Sequence, residues 1–224
     1  MSAPRASCLI VLSSAVEGVS AQSFVQAFKL THTNFSIQLA SPGGKVTEFV
    51  QQDENNRRWL NDFRTKSYSM PISLESIDAA RYSALLIPAA PGAIHDLATN
   101  QHLAQIVQHF AKENKPLCAI GPGVAGLCGA RQEDKKSWSF ADYSMTAPSI
   151  FEIARTPEFA ILPILLEDFI KDSGGKYSSS ECDAVHIVVD RHLVTGQNTQ
   201  STLIAVQNLI LLCTHKQTKH GGGR

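Results

Sequence analysis

The sequence has no surplus of either charge. Its 224 residues carry 20 Lys and Arg against 20 Asp and Glu. That balance sets up no global field for nucleic acid or an anionic membrane, so any RNA or lipid contact has to come from a local patch or a partner. No apolar run approaches the roughly 18 residues of a transmembrane helix. Arg5 followed by Cys8-Leu9-Ile10-Val11-Leu12 imitates a signal peptide. Its apolar core of about five residues is shorter than the ~7–15 such a segment uses, and it reads as a first strand. The sequon Asn34-Phe35-Ser36 is therefore expected to stay unglycosylated. Cysteine is sparse: five residues, at 8, 118, 128, 182 and 213, with no CxxC. Reduced thiols in a cytoplasmic protein fit this better than a disulfide framework. A phosphate loop is missing as well, because Gly121-x-Gly123 is not continued by Lys-Ser/Thr.

What is present is ordinary globular composition, 43% hydrophobic and 18% charged, at a length that suits one large α/β domain. We read a single domain over 1–214, with an insertion around 45–72, and a basic, glycine-ended tail at 215–224 expected to be disordered. Continuous apolar runs at 9–12, 84–87 and 117–120 predict strands buried on both faces. Further strands are expected at 35–40, 185–189 and 193–194. Helices are expected over 20–33, 53–64 and 162–171, the last closed by Ser173-Gly174-Gly175. Leu103, Ile106, Val107 and Phe110 form one helical stripe, and Leu203, Val206, Ile210 and Cys213 another. Ser149-x-x-Glu152 predicts a capping box, and Asn198 an N-cap. Trp59 and Phe63 in the insertion are expected to tuck under their own loop. Strands alternating with helices predict a parallel sheet covered on both sides.

The most informative stretch is 115–127. An apolar run ends at Gly121-Pro122-Gly123 and resumes with small residues. It reads as a buried strand, a sharp turn and a helix, the geometry that places one side chain at the C-terminal edge of a parallel sheet. The apex is Gly121, which has no side chain and offers no nucleophile. Cys118 lies three positions earlier and, by strand alternation, is expected to point away into packing. Cys8 and Cys128 read as core residues, and Cys182, flanked by Glu181 and Asp183, as a thiol whose thiolate is disfavoured. His95, His102 and His109 recur at intervals of seven. Two helical turns put successive members about 10 Å apart, too far to share one ion, so no metal site is expected.

Five stretches occur in a shared order: Ala40-Ser41-Pro42-Gly43-Gly44; Ile87 to Leu97 with Pro91-Gly92-Ala93 and Asp96-Leu97; Ala119-Ile120-Gly121-Pro122-Gly123; Leu165-Leu166-Glu167-Asp168; and Val194-Thr195-Gly196-Gln197-Asn198. Together they span 8–213 and resemble the DJ-1/PfpI superfamily, the class I glutamine amidotransferase-like fold, in its Hsp31-like branch. The resemblance implies a flavodoxin-like three-layer α/β/α sandwich with a mostly parallel sheet. Family enzymes use a Cys at the turn, usually followed by His, an acid from the first loop and a glycine-rich oxyanion loop. Those roles fall here on Gly121 and Pro122, on the neighbourhood of Ser20 with Glu17 nearby, and on Ala89-Ala90-Pro91-Gly92. The turn is kept while thiol and imidazole are gone.

The expected function is therefore non-catalytic: a pseudoenzyme subunit of a protein complex, without cofactor. By resemblance that complex is an early-endosomal Rab effector assembly that carries messenger RNA. A cytoplasmic homodimer is implied, reaching endosomes and RNA only through partners and without inserting into a membrane. Residues 45–72 and the C-terminal helix are the candidate contact surfaces. Two alternatives remain at this stage. One is a glyoxalase or deglycase-like hydrolase using a displaced cysteine, Cys118 first; the other is a small-molecule sensor with a pocket around Glu17, Ser20 and Cys118.

Overall fold

A computed structural model describes residues 5–132, 134 and 136–221, with side chains as far as His215. In chain order the strands and helices are β1 (Ser7–Val11), β2 (Val19–Ser20), α1 (Ala21–Asn34), β3 (Ser36–Ser41), β4 (Phe49–Val50), α2 (Glu54–Arg64) and β5 (Ile72–Ser73). They continue with β6 (Ala84–Ile87), α3 (Ala93–Asp96), α4 (Gln101–Lys112), β7 (Leu117–Ile120), β8 (Ser144–Met145) and α5 (Ile150–Ile153). The chain ends with α6 (Leu166–Asp172), β9 (Lys176–Tyr177), β10 (Ile187–Asp190), β11 (Leu193–Gly196) and α7 (Thr202–Gly221).

Seven strands form one sheet in the order β10-β11-β7-β6-β1-β3-β5. Every neighbouring pair is parallel except β10 with β11. All residues of β6, β7 and β11 are buried, as they must be when helices cover both faces of a parallel sheet. This is the flavodoxin-like α/β arrangement the resemblance implies. Helix α1 packs against α7, and α7 lies over β7 and β11.

The insertion is bolted to α1 by aromatic rings. Phe63 lies 5.3 Å from Phe24 and 5.1 Å from Phe28, ring centre to ring centre, and stacks on Trp59 at 5.1 Å. Lys29 lies over the Trp59 ring. Leu60 and Phe63 are buried and Trp59 is half-buried, so these side chains pack toward the core.

Three local readings are corrected. Residues 162–165 are not helical, because Pro163 forces Leu162 into an extended conformation and α6 starts only at Leu166. After Gly121 the chain forms a 3-10 segment, Gly121–Leu127, in place of an α-helix. Its glycines are poor helix formers pressed against β6. The buried stripe of α7 is Thr202, Ala205, Val206, Leu209 and Cys213, which leaves Leu203 one step off the face and 42% exposed. Helix α7 is described through Gly221. The expected disorder of 222–224 lies outside the described residues. The closure of α6 is as read: Gly174 N–H donates to Lys171 O and Gly175 N–H to Ile170 O, a Schellman pair.

At the sheet edge the Asp190 carboxylate accepts from Arg191 Nε at 3.0 Å and from Ser144 N at 2.7 Å. Arg191, foremost, holds that carboxyl below the usual carboxylate range against the cost of its burial. A depressed folded-state pKa means stability present above the unfolded value and lost as pH falls through the folded one. Asp190→Asn is expected to cost about 1 kcal/mol at neutral pH. Urea titrations should show the two proteins converging below about pH 4.

Candidate functional site

The chain runs outward from β1 to β3 and β5 on one side, then returns to β6 on the other side of β1. The connections leaving β1 and β6 therefore diverge, which is where open α/β sheets form their ligand crevice. Three segments meet there: the first loop at 12–18 after β1, the loop at 88–92 after β6, and the turn at Gly121 after β7.

Gly121 has φ +53°, a left-handed conformation that costs an ordinary residue on the order of 1–3 kcal/mol. A Cβ added there would meet Ala89 Cβ at 3.3 Å and Asn198 Cα at 3.6 Å. Pro122 follows in the first turn of the 3-10 segment, where its missing N–H is not needed. Gly123 presses on β6 so closely that a Cβ would stand 2.3 Å from Pro88 O.

The crevice itself is zipped. Ala89 O accepts from Ser20 N at 2.9 Å, and Ala89 N–H donates to Ser23 Oγ at 3.0 Å. Gly92 N–H donates to Gly18 O at 2.9 Å, and Ala93 N–H to Ala90 O at 3.0 Å. Pro91 has no N–H. Among the backbone donors of the expected oxyanion loop, those of Ala89 and Gly92 are therefore spent on the protein itself. Asp96 completes the closure by accepting from Ser14 N at 2.7 Å, Ser13 Oγ at 2.9 Å, and Ser14 Oγ and Ala15 N at 3.1 Å each.

The sequence-predicted residues do not converge. Ser20 is buried as the N-cap of α1, its Oγ accepting from Ser23 N, with the Thr199 hydroxyl 3.5 Å away. Glu17 is exposed and faces His95 at 3.7 Å. Cys118 has no exposed surface, and burial pushes its thiol far above the ordinary range. Burial raises the Cys8 thiol likewise and pushes that of Cys128 up to about 12. Cys182 is half-buried. Arg155, too distant in sequence to be foreseen beside it, reaches Cys182 and bonds Asp183 at 2.7 Å.

Opposite the zipped loops the rim is built from Glu152, Gln197 and Asn198. Glu152 Oε1 accepts from Asn198 Nδ2 at 2.8 Å and from Asp183 N at 2.9 Å. Asn198 Nδ2 also donates to Ala184 O at 2.9 Å. Buried Gln197 accepts from Ser180 N at 2.8 Å. These bonds fold 180–184 toward the turn. Glu152 also fulfils the capping box read from sequence, but its second role was invisible there, as was the clamp at Asp96.

His102 faces Glu75 at 3.7 Å, and among the described residues no three His, Cys, Asp or Glu are grouped to hold an ion. An open cleft of about 590 Å³ lies elsewhere, lined by Gln108, His109, Lys112, Arg131 and Ser139 among others.

A covered, mostly parallel sheet with a glycine-apex turn after β7, faced by the loops after β1 and β6, defines a DJ-1/PfpI-type domain. Solved structures share it. The Rapid Encystment Protein 24 KDa of Francisella tularensis superposes with a TM-score of 0.84 over 93% of this chain and 99% of that one, at 22% identity. Glyoxalase III of Candida albicans gives 0.83 over 92% and 97%, at 16% identity. At such identities the likeness speaks for the fold alone. No family model matches the chain. Whole-length sequence relatives are far nearer. A human protein is 59% identical over 209 residues, covering 93% of this chain and 94% of its own length. One from Danio rerio is 55% identical over 212 residues, covering 95% and 99%. Both are named glutamine amidotransferase-like class 1 domain-containing protein 1, and this chain belongs to that family.

Two outcomes are expected. Gly121→Ala should lower stability by about 1–3 kcal/mol, read as a fall in urea midpoint at unchanged slope. A thiol reagent on the native protein should label Cys182 first, with Cys8, Cys118, Cys128 and Cys213 reacting only on unfolding.

Proposed function

We propose that this chain is a non-catalytic DJ-1/PfpI-type domain that serves as a subunit of a protein complex. One observation carries the reading: the apex that would hold a nucleophile is Gly121, in a backbone conformation suited to glycine. Without a thiolate no acyl or hemithioacetal intermediate forms. The engaged amides of Ala89 and Gly92 support the same reading, since an oxyanion hole needs donors free to face the substrate. Cys118 is a poor substitute, being sealed in β7 with its thiolate disfavoured.

The assembly we put forward is the early-endosomal Rab effector complex that carries messenger RNA, entered as a cytoplasmic homodimer. The balanced charge agrees with RNA contact through partners. No helix among the described residues is long and apolar enough to cross a membrane, in keeping with recruitment by partners.

Size-exclusion of native lysate is expected to place the chain in a large species that survives affinity purification and contains a Rab-binding subunit. Elution only as a free dimer would sink the subunit reading. The competing reading is a glyoxalase or deglycase-like hydrolase using a displaced cysteine. Methylglyoxal turnover by the wild-type chain, lost in Cys118→Ala, would establish it. We expect no turnover, and none in Gly121→Cys combined with Pro122→His, because the Ala89 and Gly92 amides stay engaged.

A further inference from the structure

Five serines stand three positions before an acid: Ser14 before Glu17, Ser139 before Asp142, Ser149 before Glu152, Ser178 before Glu181 and Ser180 before Asp183. Acid-directed serine kinases read that spacing through a basic groove, a charge pattern that sets substrate choice. The fold removes three of them. Ser14 Oγ donates to Asp96 inside the loop clamp. Ser139 Oγ is buried, between buried Trp138 and Phe140. Ser149 is 2% exposed and caps α5 by accepting from Glu152 N. Ser178 and Ser180 remain, both exposed, on a stretch that forms neither helix nor strand. Of these, only Ser180 also has an acid at the next position, and both Glu181 and Asp183 are exposed.

We propose that Ser180 is a phosphoacceptor for an acid-directed serine kinase. Ser180 Oγ forms a bond to the γ-phosphorus of ATP, the bond from that phosphorus to the β–γ bridging oxygen breaks, and ADP leaves; the hydroxyl proton passes to the kinase's base. The segment is presentable because side-chain bonds hold it, not a sheet ladder. Ser180 Oγ lies 2.9 Å from His186 Nδ1, and Ser180 N donates to Gln197 Oε1 at 2.8 Å. Arg155, bonded to Asp183, competes with the kinase's own basic groove. The modification adds about −1.5 to −2 charge beside Glu181 and Asp183. It does so on the loop whose Asp183 N and Ala184 O hold Glu152 and Asn198 at the rim of Gly121.

The test incubates the full chain with casein kinase II and radiolabelled ATP, with casein as a positive control. About one phosphate per chain is expected, mapped to Ser180 by mass spectrometry and absent in Ser180→Ala. Glu181→Gln with Asp183→Asn should slow labelling about tenfold, the lower range of electrostatic steering. Ser178→Ala should leave labelling unchanged, and Arg155→Ala should speed it by freeing Asp183. Label that persists in Ser180→Ala, or an unlabelled wild-type chain beside labelled casein, overturns the proposal. A melting curve matching wild type shows that Ser180→Ala is folded.

Discussion

At Gly92 and Gly123 a single added carbon would stand 2.3 Å from a neighbouring oxygen, Ser13 Oγ in the first case and Pro88 O in the second. Those two contacts let the three segments at the C-terminal edge lie on one another with no side chain between them. Once they touch, their polar groups are buried and must find partners within the protein, because an unpaired buried group costs about 1–3 kcal/mol. The hydrogen bonds from Ser20 to Ala89, from Gly92 to Gly18 and onto Asp96 answer that requirement. The closed edge thus follows from backbone contact first and polar satisfaction second.

The same constraint shapes the chemistry. A turn tight enough to place its apex at the sheet edge needs a left-handed residue. Glycine meets that need without strain but brings no functional group. The Ala89 and Gly92 N–H donors are drawn into the closure, and Cys118 is held fully buried in β7. Each of these contacts stabilises the edge. What the edge still presents to solvent is its outer rim, where 178–184 is pinned to Glu152, Gln197 and Asn198 by side-chain bonds.

The strands were legible because covered parallel strands need unbroken apolar runs, and 9–12, 84–87 and 117–120 supply them. The amphipathic stripe of α4 and the capping box at Ser149 were legible for similarly local reasons. The start of α6 was misplaced although its cause, Pro163, was in plain view. The stripe of α7 was set one residue off, because an apolar Leu203 mimics a core position until α1 shows which face is covered.

By itself the sequence determined the α/β alternation, the turn at Gly121 and the absence of a nucleophile at its apex, since each depends on residue type at neighbouring positions. Only the tertiary structure decided that Asp96 clamps the first loop, that Glu152 and Asn198 share the rim, and that Arg155 sits beside Asp183 and Cys182. Those pairs lie tens of residues apart along the chain. Strand order and loop packing bring them together, and no local pattern encodes that meeting.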